Sequence, residues 1–151
     1  MLIQLSFKNI IDNPKCRIWF NTHKFYDGIV PEYYEIQSDI LSKECSLRID
    51  LYDKSPADTL VENGKIIRDK SFELEKVIID SYDIQELIWN SEYVAESGEI
   101  YPGCLFFGPN GTYTLNFYQP VVHWILHTRN EPGWEEDYEY YDQACKLLKQ
   151  I

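Results

Sequence analysis

Two histidines, His123 and His127, stand four residues apart in the stretch PVVHWILHT. On a helix that spacing puts both imidazoles on one face, which is how helical zinc sites hold their metal. Such sites also carry a Glu directly after the first His as general base. Here Trp124, Ile125 and Leu126 fill the gap instead. Val121, Val122 and Ile125 are β-branched and Pro120 precedes them, so the segment is expected to be a strand. A strand would turn Val122, Trp124 and Leu126 to the core and leave His123 and His127 on a rim. A metal between them would need a third ligand, such as His23 or a carboxylate.

Carboxylates supply the next chemistry. Asp50, Asp53 and Asp58 surround the stretch DLYDKSPAD. Oxygen-rich loops bind calcium, but this one lacks the EF-hand spacing and its central glycine. Asp53 and Asp58 are expected to cap turns. No G-x-S-x-G elbow appears, and GPNG and ENG lack the spacing of phosphate-binding loops. The cysteines Cys16, Cys45, Cys104 and Cys145 are too far apart for a C-x-x-C pair, so they read as buried thiols. No catalytic group, metal or cofactor is therefore expected. His123, His127, Asp50, Asp53 and Asp58 are the residues a metal would use if one bound.

Acid mixed with aromatic is the more distinctive pattern. The chain of 151 residues carries a net charge of −11, and aromatics reach 15%. The charge is uneven: residues 1–70 carry −1 and residues 71–151 carry −10, with no Lys or Arg between Lys76 and Arg129. Such a surface repels nucleic acid and anionic membrane and attracts a basic protein. Two stretches combine carboxylates with tyrosines, which give stiff contact area beside charge that steers association. One is NSEYVAESGEIY, with Glu92, Tyr93, Glu96, Glu99 and Tyr101. The other is WEEDYEYYDQA, with Glu135, Glu136, Asp137, Glu139 and Tyr140. The leading expectation is a non-enzymatic binding protein that holds a basic protein on this face, as an immunity protein or inhibitor would. The second is a carbohydrate-binding module that stacks sugars on exposed Trp19, Trp89 or Trp124. The third is a metal-dependent enzyme built on His123 and His127. The first residues lack the pattern of a secretory signal, and no apolar run reaches the ~20 residues of a membrane span, so a cytoplasmic protein is expected.

These residues must be positioned by a mainly β framework. Residues 2–7, 16–20, 45–53 and 112–118 alternate apolar and polar side chains, the mark of a half-buried strand. Residues 71–80 alternate and then run apolar, so they bulge or are covered on both faces. Asn63-Gly64 predicts a two-residue hairpin. Residues 32–43 fit a strand or a helical stripe equally, residues 21–31 read as loop, and residues 90–104 read as a long acidic loop. Residues 83–89 suggest one helical turn begun by Asp83, with Ile84, Leu87 and Ile88 inward. Residues 133–150 give a helical stripe with acids first and lysines last. The whole, residues 1–151, is expected to be one domain. Six to eight short strands in residues 1–128 would form an antiparallel β-sandwich or partly open barrel, with the C-terminal helix packed on it.

Overall fold

Alternation of apolar and polar side chains builds two main sheets. The computed structural model describes residues 1–40 and 42–129. Its strands are β1 (Leu2–Ile11), β2 (Lys15–Phe20), β3 (His23–Ile29), β4 (Tyr33–Gln37), β5 (Glu44–Leu51), β6 (Thr59–Glu62) and β7 (Lys65–Asp69). They continue as β8 (Ser71–Ile79), β9 (Tyr82–Asp83), β10 (Glu92–Ala95), β11 (Ile100–Pro102), β12 (Phe106–Phe107) and β13 (Gly111–Tyr118), followed by helix α1 (Val121–Arg129). One antiparallel sheet runs β12-β8-β1-β4, with β9 added to β8. The second runs β11-β10-β13-β5-β2-β3, and β6 and β7 form a separate ribbon.

The inward faces of the two large sheets meet in one core. Ile3, Leu5 and Phe7 of β1 and Phe72, Leu74, Val77 and Ile79 of β8 are buried on one side. Cys16, Ile18 and Phe20 of β2, the β5 set Cys45, Leu47, Ile49 and Leu51, and Tyr113, Leu115 and Phe117 of β13 are buried on the other. Phe107 joins the sheets, with its ring centroid 5.0 Å from that of Tyr93 and 5.7 Å from that of Tyr113. The architecture is an antiparallel β-sandwich, as the alternation predicts.

Three local features follow directly from sequence. Ser6 pairs with Lys76 and Phe7 with Leu74, so Glu75 is an extra residue in β8. That bulge resets the parity, which lets Phe72 and Leu74 before it and Val77 and Ile79 after it all face inward. Asn63 and Gly64 both take positive φ, 52° and 76°, as a type I′ hairpin requires. In the 3₁₀ turn Gln85–Trp89, Leu87 and Ile88 are buried together with Ile84, and Asp83 Oδ1 accepts the Gln85 N–H at 2.9 Å.

Other expectations need correction. The strand count is thirteen among the described residues rather than six to eight, because the edge strand β3, the ribbon β6–β7 and the two- or three-residue strands β9, β11 and β12 add to the seven others. Residues 23–29 are not loop but edge strand β3, which needs only backbone pairing with β2 and no apolar alternation. Residues 90–104 contain the hairpin β10–β11 rather than an irregular loop. The stretch from Val121 is α1 rather than a strand: Val121, Trp124 and Ile125, spaced i, i+3 and i+4, all reach the core. Packing of that stripe outweighs the β propensity of its valines. The helix expected at residues 133–150 lies outside the described residues. No helix among the described residues is long and apolar enough to cross a membrane.

Candidate binding groove

The outward side of the β12-β8-β1 sheet and the turn 85–89 enclose a groove of about 620 Å³. Its aromatic walls are Trp89, 61% exposed, and Phe106, 46% exposed. Its polar lining comes from Lys8 on β1, Glu73, Glu75 and Lys76 on β8, and Asp83, Gln85 and Glu86.

Local structure explains why Trp89 stands out in solvent. Leu87 and Ile88 take the inward positions of the turn, which leaves the next side chain outward. The turn is tied down where it ends: the Tyr113 hydroxyl donates to Ile88 O at 2.9 Å and Ser91 Oγ donates to the same oxygen at 2.7 Å. Gly103 passes against this backbone, its N–H donating to Ser91 O at 2.9 Å. It has φ +65°, and a Cβ there would lie 3.0 Å from Trp89 O, so the close approach calls for glycine. Phe106 points out because Phe107, its neighbour in β12, points in. Gly108 leaves room for the Phe106 ring, since a Cβ there would come within 2.7 Å of it.

Much of the polar lining is held by partners. Lys76 pairs with Asp83 at 3.4 Å, Lys8 with Glu73 at 4.0 Å, and Arg129 with Glu86 at 3.5 Å. Asn9 Nδ2 donates to Glu73 at 2.8 Å. These contacts fix carboxylates beside the two rings. An exposed aromatic plane bordered by paired carboxylates and an amide can take the apolar C–H face of a ring-shaped polar ligand while the carboxylates accept its hydroxyl hydrogens.

The structure separates the remaining candidate residues. His123 and His127 do share a helix, but His123 is buried at 3% exposure rather than set on a rim. His127 is exposed, with Nδ1 2.7 Å from the Tyr118 hydroxyl. Among the described residues, no three His, Cys, Asp or Glu side chains gather as metal ligands. Asp50 accepts from Trp19 Nε1 and from Thr112 Oγ1, both at 3.0 Å. Asp53 pairs with Lys15 at 3.4 Å. Asp58 accepts the Ser55 N–H at 2.8 Å and pairs with Lys70 at 3.3 Å, so it closes its turn as expected. The Ser55 N–H holds the Asp58 carboxyl below the usual carboxylate range. The three aspartates are thus engaged at separate places.

Of the acidic, tyrosine-rich face, Glu92, Glu96, Glu99 and Tyr101 gather in exposed positions along the β10–β11 edge. The Tyr101 hydroxyl donates to the Glu99 carboxylate. Tyr93 is a correction: it is fully buried, its hydroxyl donates to Pro109 O, and burial pushes its pKa up, so it offers no contact surface. Glu135, Glu136, Asp137, Glu139 and Tyr140 lie outside the described residues. Of the three tryptophans named for sugar stacking, Trp124 is only 4% exposed and packs on Phe117. Trp19 is half-buried with the Arg48 guanidinium 4.2 Å from its ring centroid, so its plane is covered. Trp89 alone of these three is open. A larger hollow, about 780 Å³, lies beside α1, but its rings are the buried Phe117 and Trp124 and a Tyr118 already bonded to His127. Phe106 and the carboxylates of β8 escape sequence reading, because residues 104–107 give no parity until the GPNG turn is placed.

The fold is an antiparallel β-sandwich with an open groove on the outward side of one sheet. No protein-family model matches the chain, and no curated protein sequence matches it. A solved structure described as vCBM60 in complex with galactobiose, a carbohydrate-binding module, superposes with a TM-score of 0.52 at 7% identity. The match covers 76% of this chain and 96% of that one, and it shows the β-sandwich fold.

Proposed function

We propose that this chain is a non-catalytic binding module that takes a neutral carbohydrate in the groove between Trp89 and Phe106. One observation carries the reading: an indole 61% open to solvent, on a backbone clamped by Tyr113, Ser91 and Gly103, beside carboxylates already fixed by ion pairs. A held backbone costs no further ordering of the chain when a ligand stacks on the side chain it presents, and held acceptors need little rearrangement. The similar fold described with bound galactobiose adds support. Titration with neutral oligosaccharides, galactobiose among them, should change the tryptophan fluorescence saturably. Trp89→Ala should abolish the change and Trp19→Phe should leave it. A saturable signal that survives Trp89→Ala would refute this placement.

The exposed Glu92, Glu96 and Glu99 along β10–β11 support a second reading, a face for a basic protein. Its mark would be an affinity that falls steeply with salt and is lost on changing the three glutamates to glutamine. An affinity indifferent to both would remove it.

A further inference from the structure

Both lysines that line the groove are matched by a carboxylate, and one carboxylate is left over. Lys76 pairs with Asp83 at 3.4 Å and Lys8 with Glu73 at 4.0 Å, while Arg129 beside the groove takes Glu86 at 3.5 Å. Glu75 lines the same groove and is exposed. Among the described residues no ion pair or hydrogen bond engages its side chain.

The backbone explains why this carboxylate is left without a cation. Alternation along β8 carries Glu73 and Glu75 to the outward face. Ser6 pairs with Lys76 and Phe7 with Leu74, so Glu75 has no residue opposite it on β1. The bulge puts Lys76 on the outward face as well, where it turns to Asp83 on β9. Glu73 lies opposite both Lys8 and Phe106 in register, so its own partner comes from β1. Bulges commonly aim a side chain beside a site, and here the bulged residue is the acceptor that nothing in the fold uses.

An ionised carboxylate only accepts hydrogen bonds, and it offers two oxygens. It suits the hydroxyl hydrogens of a neutral sugar. A sugar that carries its own carboxylate meets the opposite situation: both lysines are engaged, and Glu75 stands against it with like charge. Such a repulsive element gives specificity without adding any attraction. We infer that Glu75 sets the charge selectivity of the groove, accepting from neutral sugars and rejecting uronic acids. The inference rests on the carbohydrate reading and adds to it the residue that discriminates.

Calorimetric titration of the full chain with paired ligands tests this, each pair a neutral oligosaccharide and its uronic acid counterpart of the same length and linkage. The parent should bind the neutral member more tightly. Glu75→Gln keeps the shape and removes the charge, so the ratio of uronate to neutral affinity should rise about fivefold, the weight of one like-charge contact near 4 Å in water. Glu62→Gln, the same change at an exposed position on the β6–β7 ribbon and outside the groove, should leave the ratio unchanged. A ratio unmoved by Glu75→Gln, a ratio raised equally by Glu62→Gln, or a parent that prefers the uronate overturns the assignment while the carbohydrate reading stands. A chain that binds neither member of any pair, or binds both unaltered after Trp89→Ala, overturns the carbohydrate reading and this assignment with it.

Discussion

Phe106 and Phe107 are neighbours of the same type in a two-residue strand, and the structure gives them opposite jobs. Phe107 is fully buried, with ring centroids 4.5 Å from Phe72, 5.0 Å from Tyr93 and 5.7 Å from Tyr113. Phe→Ala at such a site costs about 3–5 kcal/mol, since the lost burial is joined by a cavity. Three aromatic neighbours, each worth about 0.5–1.5 kcal/mol beyond burial, put the expected cost in the upper half of that range. In a domain of this size that lowers the melting temperature by roughly 8–20 °C, at about 2–4 °C per kcal/mol. Phe106 is 46% exposed, so Phe106→Ala forfeits about half of a side-chain burial, about 1 kcal/mol. Urea unfolding followed by circular dichroism measures both, with equal slopes required for a fair comparison. Only Phe106→Ala should weaken ligand binding while leaving the fold intact. Equal costs for the two substitutions would refute the assignment of which ring faces the core.

Three further outcomes follow. Gly111→Ala should destabilise the second sheet by about 1–3 kcal/mol, because the new methyl would sit 2.5 Å from Val94 O and 2.9 Å from Ala95 Cα; a melting temperature unchanged from the parent contradicts the close approach. Hydrogen bonds from Arg68, Tyr52 and Ser55 hold the carboxyls of Asp12, Asp27 and Asp58 below their ordinary pKa. The stability they lend is whole above the unfolded value of about 3.9 and is lost as pH falls through the lowered folded values. Melting temperature should therefore fall as pH drops below about 4, and a profile that stays flat there would contradict it. Cys104 should react with a thiol reagent well before Cys16, which is buried and pushed up to about 12, and before buried Cys45; mass spectrometry of labelled peptides gives the order.

The strands that alternate cleanly were legible because period-two burial is a local property. Residues 45–51 and 113–117 fold as their side chains predict. The Asn63-Gly64 turn was legible for a similar reason, since its backbone angles belong to two residues. Edge strands such as β3 were not, because their pairing is supplied by a neighbour and leaves no apolar trace. Helix α1 shows two local signals in conflict: its valines favour a strand, while the Val121, Trp124, Ile125 spacing favours a helix. The core settles it. The groove was half legible. Trp89 is one of the three tryptophans the sequence offers for stacking, but the β8 bulge at Glu75 and the outward turn of Phe106 arise from three-dimensional register. Tyr93 failed as a contact residue because its parity in β10 turns it inward, and a loop reading hides that parity.

The central claim is that Trp89 is the stacking surface for a neutral sugar. Its most direct test follows each tryptophan indole N–H by ¹⁵N-resolved NMR during titration with neutral oligosaccharides. The account predicts that the Trp89 signal moves and saturates while the Trp19 signal, bonded to Asp50, stays in place. A sugar that shifts Trp19 and leaves Trp89 unmoved would contradict it, and so would a panel of oligosaccharides that moves neither.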